Sequence, residues 1–327
     1  MKRKARKAAN KATANLLRLA VAAVALLAIY VFAQQQDIID VSVLPEITYR
    51  APSAGVAPVG EDGILSVHFI DVGQGDSALV VAPGGAAMLI DAGPNSAEEE
   101  LRAYLNALGI KKFEYVVFTH PHEDHIGGGD MIMREYEVAR VIMPDAVTAT
   151  ATFERLLDAI GKSGAEVIRA DDMLGETFTL GAGGESENGD SPQANFTILG
   201  PCAEYGELNN ASVVLRLLYG EAEFLFTGDA EAESECDQLK KFGALALHCD
   251  VLKVGHHGSA SSSTDEYILA TSPQIAVISC AKINDYGHPH REVLERLGLI
   301  GAAVYTTADY GTIVIKTDGI NIEAVTK

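Results

Sequence analysis

The apolar run Tyr115-Val116-Val117-Phe118 ends in Thr119-His120-Pro121-His122-Glu123-Asp124-His125-Ile126-Gly127-Gly128, and this stretch constrains the fold more than any other. Four apolar residues in a row read as a buried strand. Three histidines and an aspartate within six residues then put several metal-ligating groups into one loop at that strand's end. Imidazole nitrogens with a carboxylate suit zinc, manganese or iron better than calcium or magnesium, which take all-oxygen shells. His120 and His122, two positions apart, project to the same side, while Asp124 and His125 follow at once and face a second metal. The glycines at 127–129 permit a tight turn into a helix predicted over Asp130 to Glu137, with its N-terminus toward the site.

The pattern His120-x-His122-x-Asp124-His125 followed by glycines resembles the metal-binding signature of the metallo-β-lactamase superfamily. Phe69-Ile70-Asp71-Val72-Gly73-Gln74-Gly75-Asp76-Ser77 and Leu89-Ile90-Asp91-Ala92-Gly93 resemble, more narrowly, the opening strands of the hydrolase domain attached to ComEC-type DNA-uptake proteins. The resemblance runs from about Leu65 to near the C-terminus. It implies that Asp91 ends a strand and orients ligand histidines through hydrogen bonds. Asp71, Asn210 and Ser212 are read, like Asp91, as supporting or structural residues.

Further motifs carry the same resemblance. Asp229, in Thr227-Gly228-Asp229-Ala230, matches a bridging aspartate whose two oxygens hold two cations. Val251-Leu252-Lys253-Val254 runs into His256-His257, one of which completes the second metal's ligands, with His256 favoured over His257. His288 and His290, around Pro289, become active-site residues at the mouth. In the wider superfamily a histidine near Asn209-Asn210-Ala211-Ser212 completes the first metal's set; here asparagine and serine stand in its place. The implied cofactor is one or two divalent ions, zinc or manganese.

Charge is unevenly spread. Residues 1–36 hold seven of the 25 Lys and Arg and no acid, so 18 basic residues face 45 acidic ones over the rest. So acidic a body does not attract nucleic acid by bulk electrostatics, and a phosphodiester substrate such as DNA is contacted locally, through metal. Cys202, Cys236, Cys249 and Cys280 lack metal-cage spacing and are read as packed free thiols, with up to two disulfides as the alternative if the domain is exported.

The basic flank, the apolar run Leu19 to Phe32 and Gln34-Gln35-Gln36 read as a transmembrane signal anchor or a cleaved signal peptide, with the N-terminus cytoplasmic. Val31-Phe32-Ala33 resembles a cleavage site. Residues 37–63, with Pro45, Pro52 and Pro58, read as a linker, leaving 64–327 as the hydrolase domain. The body is thus expected at the cell membrane on the extracytoplasmic side, or secreted. No protein partner is evident.

Within the body, strands are predicted at Leu65 to Val72, Ala78 to Ala82, Ala87 to Asp91, Ala139 to Met143, Ala165 to Ile168, Met173 to Leu180, Asn195 to Leu199, Ala222 to Phe226, Ile275 to Ser279, Val304 to Thr306 and Thr312 to Lys316. Helices are predicted at Ser96 to Leu108, capped by Ser96, at Thr152 to Ser163 and at Glu292 to Leu297. The loop at 181–192 reads as solvent-exposed, and His68 as a packed strand residue. Strands ending in ligands, in two halves with helices between, fit a mixed α/β four-layer αββα sandwich with the site along one edge. The absence of a Gly-x-Ser-x-Gly elbow argues against a serine nucleophile. The chain is therefore expected to be a metal-dependent phosphodiesterase or nuclease acting through activated water, with Asp124, His288 and His290 as catalytic groups. The alternatives are a hydrolase of another ester, thioester or lactam, and a non-catalytic metal-containing binding module.

Overall fold

The computed structural model describes residues 60–181 and 193–326. The predicted segment at 1–36, the linker up to residue 59 and nearly all of the polar loop at 181–192 lie outside the described residues. Among the described residues no helix is long and apolar enough to cross a membrane.

The first half of the body is laid down as β1 (Leu65–Phe69), β2 (Ala78–Val81), β3 (Ala87–Ile90), α1 (Glu98–Ala107), β4 (Lys112–Val117), α2 (Glu123–Ile126), α3 (Gly129–Glu135), β5 (Glu137–Met143), α4 (Ala151–Ser163) and β6 (Glu166–Arg169). β1, β2 and β3 form an antiparallel meander, and β3 to β6 run parallel with helices crossing between them. The second half contributes β7 (Thr177–Leu180), β8 (Ala194–Gly200), β9 (Val214–Tyr219), β10 (Ala222–Phe226), α5 (Ala232–Phe242), α6 (Ala244–Leu247), β11 (Val251–Lys253), α7 (Asp265–Thr271), β12 (Ile275–Ile278), α8 (Arg291–Leu299) and β13 (Ala303–Thr306). Here too an antiparallel stretch, β7 to β10, passes into a parallel one, β10 to β13. After the helical turn α9 (Thr307–Tyr310), β14 (Ile313–Thr317) and β15 (Ile322–Val325) return to the first sheet beside β1. The sheets read β15-β14-β1-β2-β3-β4-β5-β6 and β13-β12-β11-β10-β9-β8-β7.

Alternation along the strands accounts for the layers. Ala78 and Val80 of β2, Met88 and Ile90 of β3, and Phe224 and Phe226 of β10 point into one apolar core shared by both sheets. Leu79, Val81 and Leu89 point the other way, into a core closed by Leu101, Leu105, Phe153 and Leu156 of α1 and α4. Leu225 and Leu252 similarly meet Tyr267, Val293 and Leu297 of α7 and α8. Strands covered on both faces have no polar face to spare, which is why they read as continuous apolar runs. Burying each large side chain contributes about 1.5–3 kcal/mol. The result is the expected mixed α/β fold with two sheets between helices.

Several local readings are corrected. Ser96 does not cap α1 by its side chain; a short 3-10 turn at Asn95–Ala97 leads into the helix. The helical turn α9 stands between the two predicted strands Val304 to Thr306 and Thr312 to Lys316, and β15 has no counterpart in the sequence reading. Glu61 and Gly63, assigned to the linker, are tied to the body: Lys316 pairs with Glu61 at 2.7 Å and the Tyr219 hydroxyl donates to the Gly63 carbonyl at 2.9 Å. All four cysteines are free thiols, two of them buried.

Parallel strands open their carboxyl ends on one edge, where crossover loops converge and ligands collect. The loops after β1, β3 and β4 and those after β10, β11 and β12 all end there. Val213 N–H donates to the Thr119 carbonyl at 2.8 Å, stitching the two sheets together beside them.

Candidate metal centre

Backbone bonds lace the first three of these loops. Asp76 N–H donates to the Asp124 carbonyl at 3.0 Å, Ala92 N–H to that of His125 at 2.7 Å and Gly93 N–H to that of Asp76 at 2.8 Å. Such close approach leaves no room for side chains. A Cβ on Gly75 would lie 2.4 Å from the Asp124 carbonyl oxygen, and one on Gly127 would lie 2.1 Å from the Asn95 nitrogen.

Asp124, His125, Asp229 and His257 each present one ligand atom, and these atoms all lie within 4.8 Å of one another. His125 Nε2 is 3.3 Å and His257 Nε2 is 3.5 Å from Asp229 Oδ2, and His257 Nε2 is 3.1 Å from Asp124 Oδ2. Each imidazole is aimed by its other nitrogen. His125 Nδ1 donates to Asp91 Oδ2 at 2.8 Å, and His257 Nδ1 donates to the Ser279 carbonyl at 3.0 Å. Asp91 is itself pinned by the Thr119 N–H at 2.7 Å and hydroxyl at 2.6 Å, and holds a left-handed φ of 60° to do so. That conformation is uncommon for a residue with a side chain and marks a constrained position.

The donor set fits a divalent ion. His125 Nε2 and Asp229 Oδ1 are buried without a hydrogen-bond partner, a state that costs about 1–3 kcal/mol per group unless something coordinates it. Mixed nitrogen and oxygen donors suit a transition metal.

Without an ion, the carboxylates hold protons on two of the histidines. Burial opposes charge on His125, but Asp229, Asp91 and Asp124 outweigh it and push its pKa well above the usual imidazole value. In His257 burial is likewise overcome, chiefly by Asp229 and Asp76, and the pKa rises to about 10. Asp124 is raised by burial yet held at about 2 by His125 and its bond from His257. Burial, reinforced by His125, keeps His120 well below the usual value and so neutral.

The remaining predicted residues divide. His120 is buried at the edge of the cluster, its Nε2 3.9 Å from Asp229 Oδ2 and 2.9 Å from His122 Nδ1, with Ser212 Oγ 3.4 Å from its Nδ1. Ser212 also accepts from Asp229 N–H at 3.0 Å, so it stands against the site. Asn210 does not reach the metal cluster; its Oδ1 accepts from Glu231 and Ser234 N–H at 3.0 and 3.2 Å and caps the start of α5. Asp71 is exposed and shapes its own turn, accepting from Gly73 N–H at 3.2 Å.

Both histidines of the pair reach the site, His256 with its Nε2 3.8 Å from Asp229 Oδ2 and His257 closer in. Both sit in a left-handed turn, with φ of 49° and 54°, which sends their rings in different directions. His257 enters the four-residue cluster, whereas His256 Nδ1 turns to Ser261 Oγ at 3.0 Å and Glu231 Oε1 at 3.2 Å. One correction concerns His290. Its Nδ1 accepts from Ala260 N–H at 2.9 Å and its Nε2 donates to the Tyr286 carbonyl at 3.1 Å, so neither ring nitrogen is left for a substrate. His288 does face the site, with its Nδ1 unpartnered and its ring 5.6 and 6.2 Å from those of His256 and His257. Burial, with the neighbouring His257 and His256, lowers its pKa to about 4.

Two residues were not singled out in the sequence. Lys253 is buried and pairs with Asp76 at 2.8 Å, and Asp76 Oδ1 lies 3.5 Å from His257 Nδ1, an ion-pair distance rather than a hydrogen bond. A lysine in the strand before His256-His257, and an acid in Gly73-Gln74-Gly75-Asp76-Ser77, were the available signals. His68 is packed as expected, bonded to the Tyr104 hydroxyl at 2.8 Å and Ser66 Oγ at 3.0 Å.

Two facing sheets whose strand ends gather histidines and aspartates define a metallohydrolase fold. Residues 70–282 match the metallo-beta-lactamase superfamily, and the chain belongs to that superfamily. It is 32% identical over 267 residues to ComE operon protein 3 of Bacillus subtilis, covering 76% of this chain and 32% of that protein. With Competence protein ComA of Neisseria gonorrhoeae it shares 30% identity over 239 residues, 72% of this chain and 30% of that one. The chain thus spans about a third of the length of the curated relatives it matches. The solved structure of the metallo-beta-lactamase fold protein YhfI from Bacillus subtilis superposes with a TM-score of 0.51 at 14% identity, over 78% of this chain and 99% of that one, a likeness of fold alone.

Proposed function

We propose that the chain is a metal-dependent phosphodiesterase, acting on DNA outside the cytoplasmic membrane. The observation that carries this reading is the Asp124, His125, Asp229 and His257 cluster, with its buried, unpartnered His125 Nε2 and Asp229 Oδ1. Kinship with a competence protein supports the choice of DNA, and the acidic body supports contact with phosphate at the cluster rather than over a wide surface. On this reading one divalent ion, zinc or manganese, is held by the four residues. A second would be held more weakly, by His120 and His122 with Asp229. Residues 1–36 anchor or export the chain, 37–63 link, and 64–327 catalyse.

A divalent ion bound there acidifies water to near neutrality and offsets phosphoryl charge. The chain's own groups do the rest. Asp124 is the one cluster member that reaches solvent, its side chain 32% exposed, and it stays ionised, so that an oxygen can accept a hydrogen bond from the attacking water. His288 is held neutral, its Nδ1 buried and unpartnered and its ring beside those of His256 and His257, where a small shift would let it hydrogen-bond the phosphate or leaving oxygen. Asp91 and Ser279 keep the two imidazoles aimed. Water adds to phosphorus, the P–O ester bond breaks, and the water's proton passes by way of Asp124 to the leaving oxygen, with no covalent enzyme intermediate.

The test uses the full chain stripped of metal. Hydrolysis of bis(p-nitrophenyl) phosphate and of single-stranded DNA is followed as zinc or manganese is restored, beside an Asp124→Ala control. Metal-dependent turnover that disappears in the control is the expected result. Stoichiometric metal binding with no turnover of either substrate would move the reading to another hydrolysed bond or to a binding module.

A further inference from the structure

The loop between β12 and α8 holds an aromatic residue that nothing in the metal site requires. Tyr286 is 66% exposed, and beside it in the same loop Ile283 is 93% exposed. A lone surface tyrosine is ordinary. Tyr286 differs in being part of an ordered stack. Its ring lies nearly parallel to that of His288, at 5.5 Å and 20°, and His288 lies nearly parallel to His257, at 6.2 Å and 27°. Three rings therefore step from the buried cluster out to solvent.

The stack is held in place by one asparagine. Asn284 Nδ2 donates to the carbonyls of Ala281 at 3.0 Å and His288 at 2.8 Å. Its Oδ1 accepts from the N–H groups of Tyr286 at 3.2 Å and His288 at 2.9 Å. His290 adds its Nε2 bond to the Tyr286 carbonyl. A ring fixed in advance gives up little conformational freedom when a ligand lies on it.

We propose that Tyr286 is a stacking platform for a nucleobase of a single-stranded nucleic acid whose phosphodiester lies at the Asp124–His257 cluster. The inference rests on the phosphodiesterase reading and adds a residue that binds the strand through its bases. Chemistry favours a base over other occupants. With 45 acidic residues against 25 basic ones, the chain has little long-range attraction for a phosphate backbone. Affinity has to come from neutral contacts, and every base offers a flat face to an aromatic ring. Bases within a duplex are already stacked on each other, so a solvent-facing ring of this kind selects single strands.

The experiment measures equilibrium binding of the metal-loaded full chain to fluorescein-labelled phosphorothioate oligonucleotides, one of thymidines and one abasic, of equal length. The wild-type chain is expected to prefer the base-bearing strand about tenfold. That preference should fall towards one in Tyr286→Ala and persist in Tyr286→Phe. A wild-type chain that binds both strands equally, or a Tyr286→Ala chain that keeps the preference, overturns the platform. Because the readout is binding to cleavage-resistant strands, it is independent of the hydrolysis test above, and either idea can fail alone.

Discussion

Two neighbouring groups of ligands share Asp229 yet are built differently. Around His125 and His257, each imidazole is aimed by a buried acceptor, Asp91 Oδ2 and the Ser279 carbonyl, and the Asp76–Lys253 pair lies behind. Around His120 and His122, the support is hydroxyl-based: Thr119 Oγ1 at 3.2 Å and Ser212 Oγ at 3.4 Å stand against His120 Nδ1, and His122 leans on His120 itself. A carboxylate behind an imidazole raises its basicity and fixes its tautomer, which a hydroxyl does only weakly. The first group is thus charged before any ion arrives, with His125 and His257 protonated, while in the second His120 is neutral.

The largest effect expected from breaking this arrangement is at the shared aspartate. Asp229→Ala should abolish both sites and lower phosphodiester turnover by about a thousandfold or more, the equivalent of several kcal/mol. Retained turnover, measured at saturating metal, would mean that the pockets work separately. Lys253→Met comes next. It leaves buried Asp76 with only His257 to offset its charge, so the metal-free chain should lose about 3 kcal/mol in denaturant unfolding, while the same test on Ser212→Ala should show about 1 kcal/mol. Similar losses at the two positions would erase the contrast between the supports. Asp91→Asn should weaken the tighter metal site about 10–100-fold in a chelator competition and leave the weaker one unchanged.

Protonation separates the pockets most finely. At pH 7 the metal-free chain carries protons on His125 and His257, whereas His120 is neutral. Filling the His125–His257 pocket should therefore release about two protons, as read by calorimetry in buffers of differing ionisation enthalpy. The sign for stability follows from the raised values. The contribution of His125 and His257 is fully present below the unfolded imidazole pKa of about 6.5. It is lost as pH climbs through the folded value, about 10 for His257. The metal-free chain should thus weaken between pH 7 and 10. An unfolding midpoint that stays flat over that range would show that these histidines are neutral in the folded chain.

Much of this was legible in the residues. Runs such as Leu79 to Val81 and Phe224 to Phe226 announce strands buried on both faces, and the six-residue stretch from His120 to His125 announces a ligand loop, because dense donors after a strand have few other uses. The β15 strand was not legible, since Ile322–Val325 is short and only half-buried at a sheet edge. Lys253 read as one more strand residue, because its partner Asp76 lies in a loop far away in sequence.

By itself, then, the sequence determined the layered sheets, the edge on which donors gather and the kind of ion they suit, since periodicity and donor chemistry are local properties. Tertiary structure alone set how the two adjacent histidines divide, His257 inside the four-residue cluster and His256 turned by its Nδ1 to Ser261 and Glu231, because two left-handed residues in one turn send their rings apart. It also removed His290 from the reacting groups by engaging both ring nitrogens, and brought Asp76 and Lys253 behind His257. Contacts between residues remote in sequence depend on how the two sheets pack, and no local pattern encodes them.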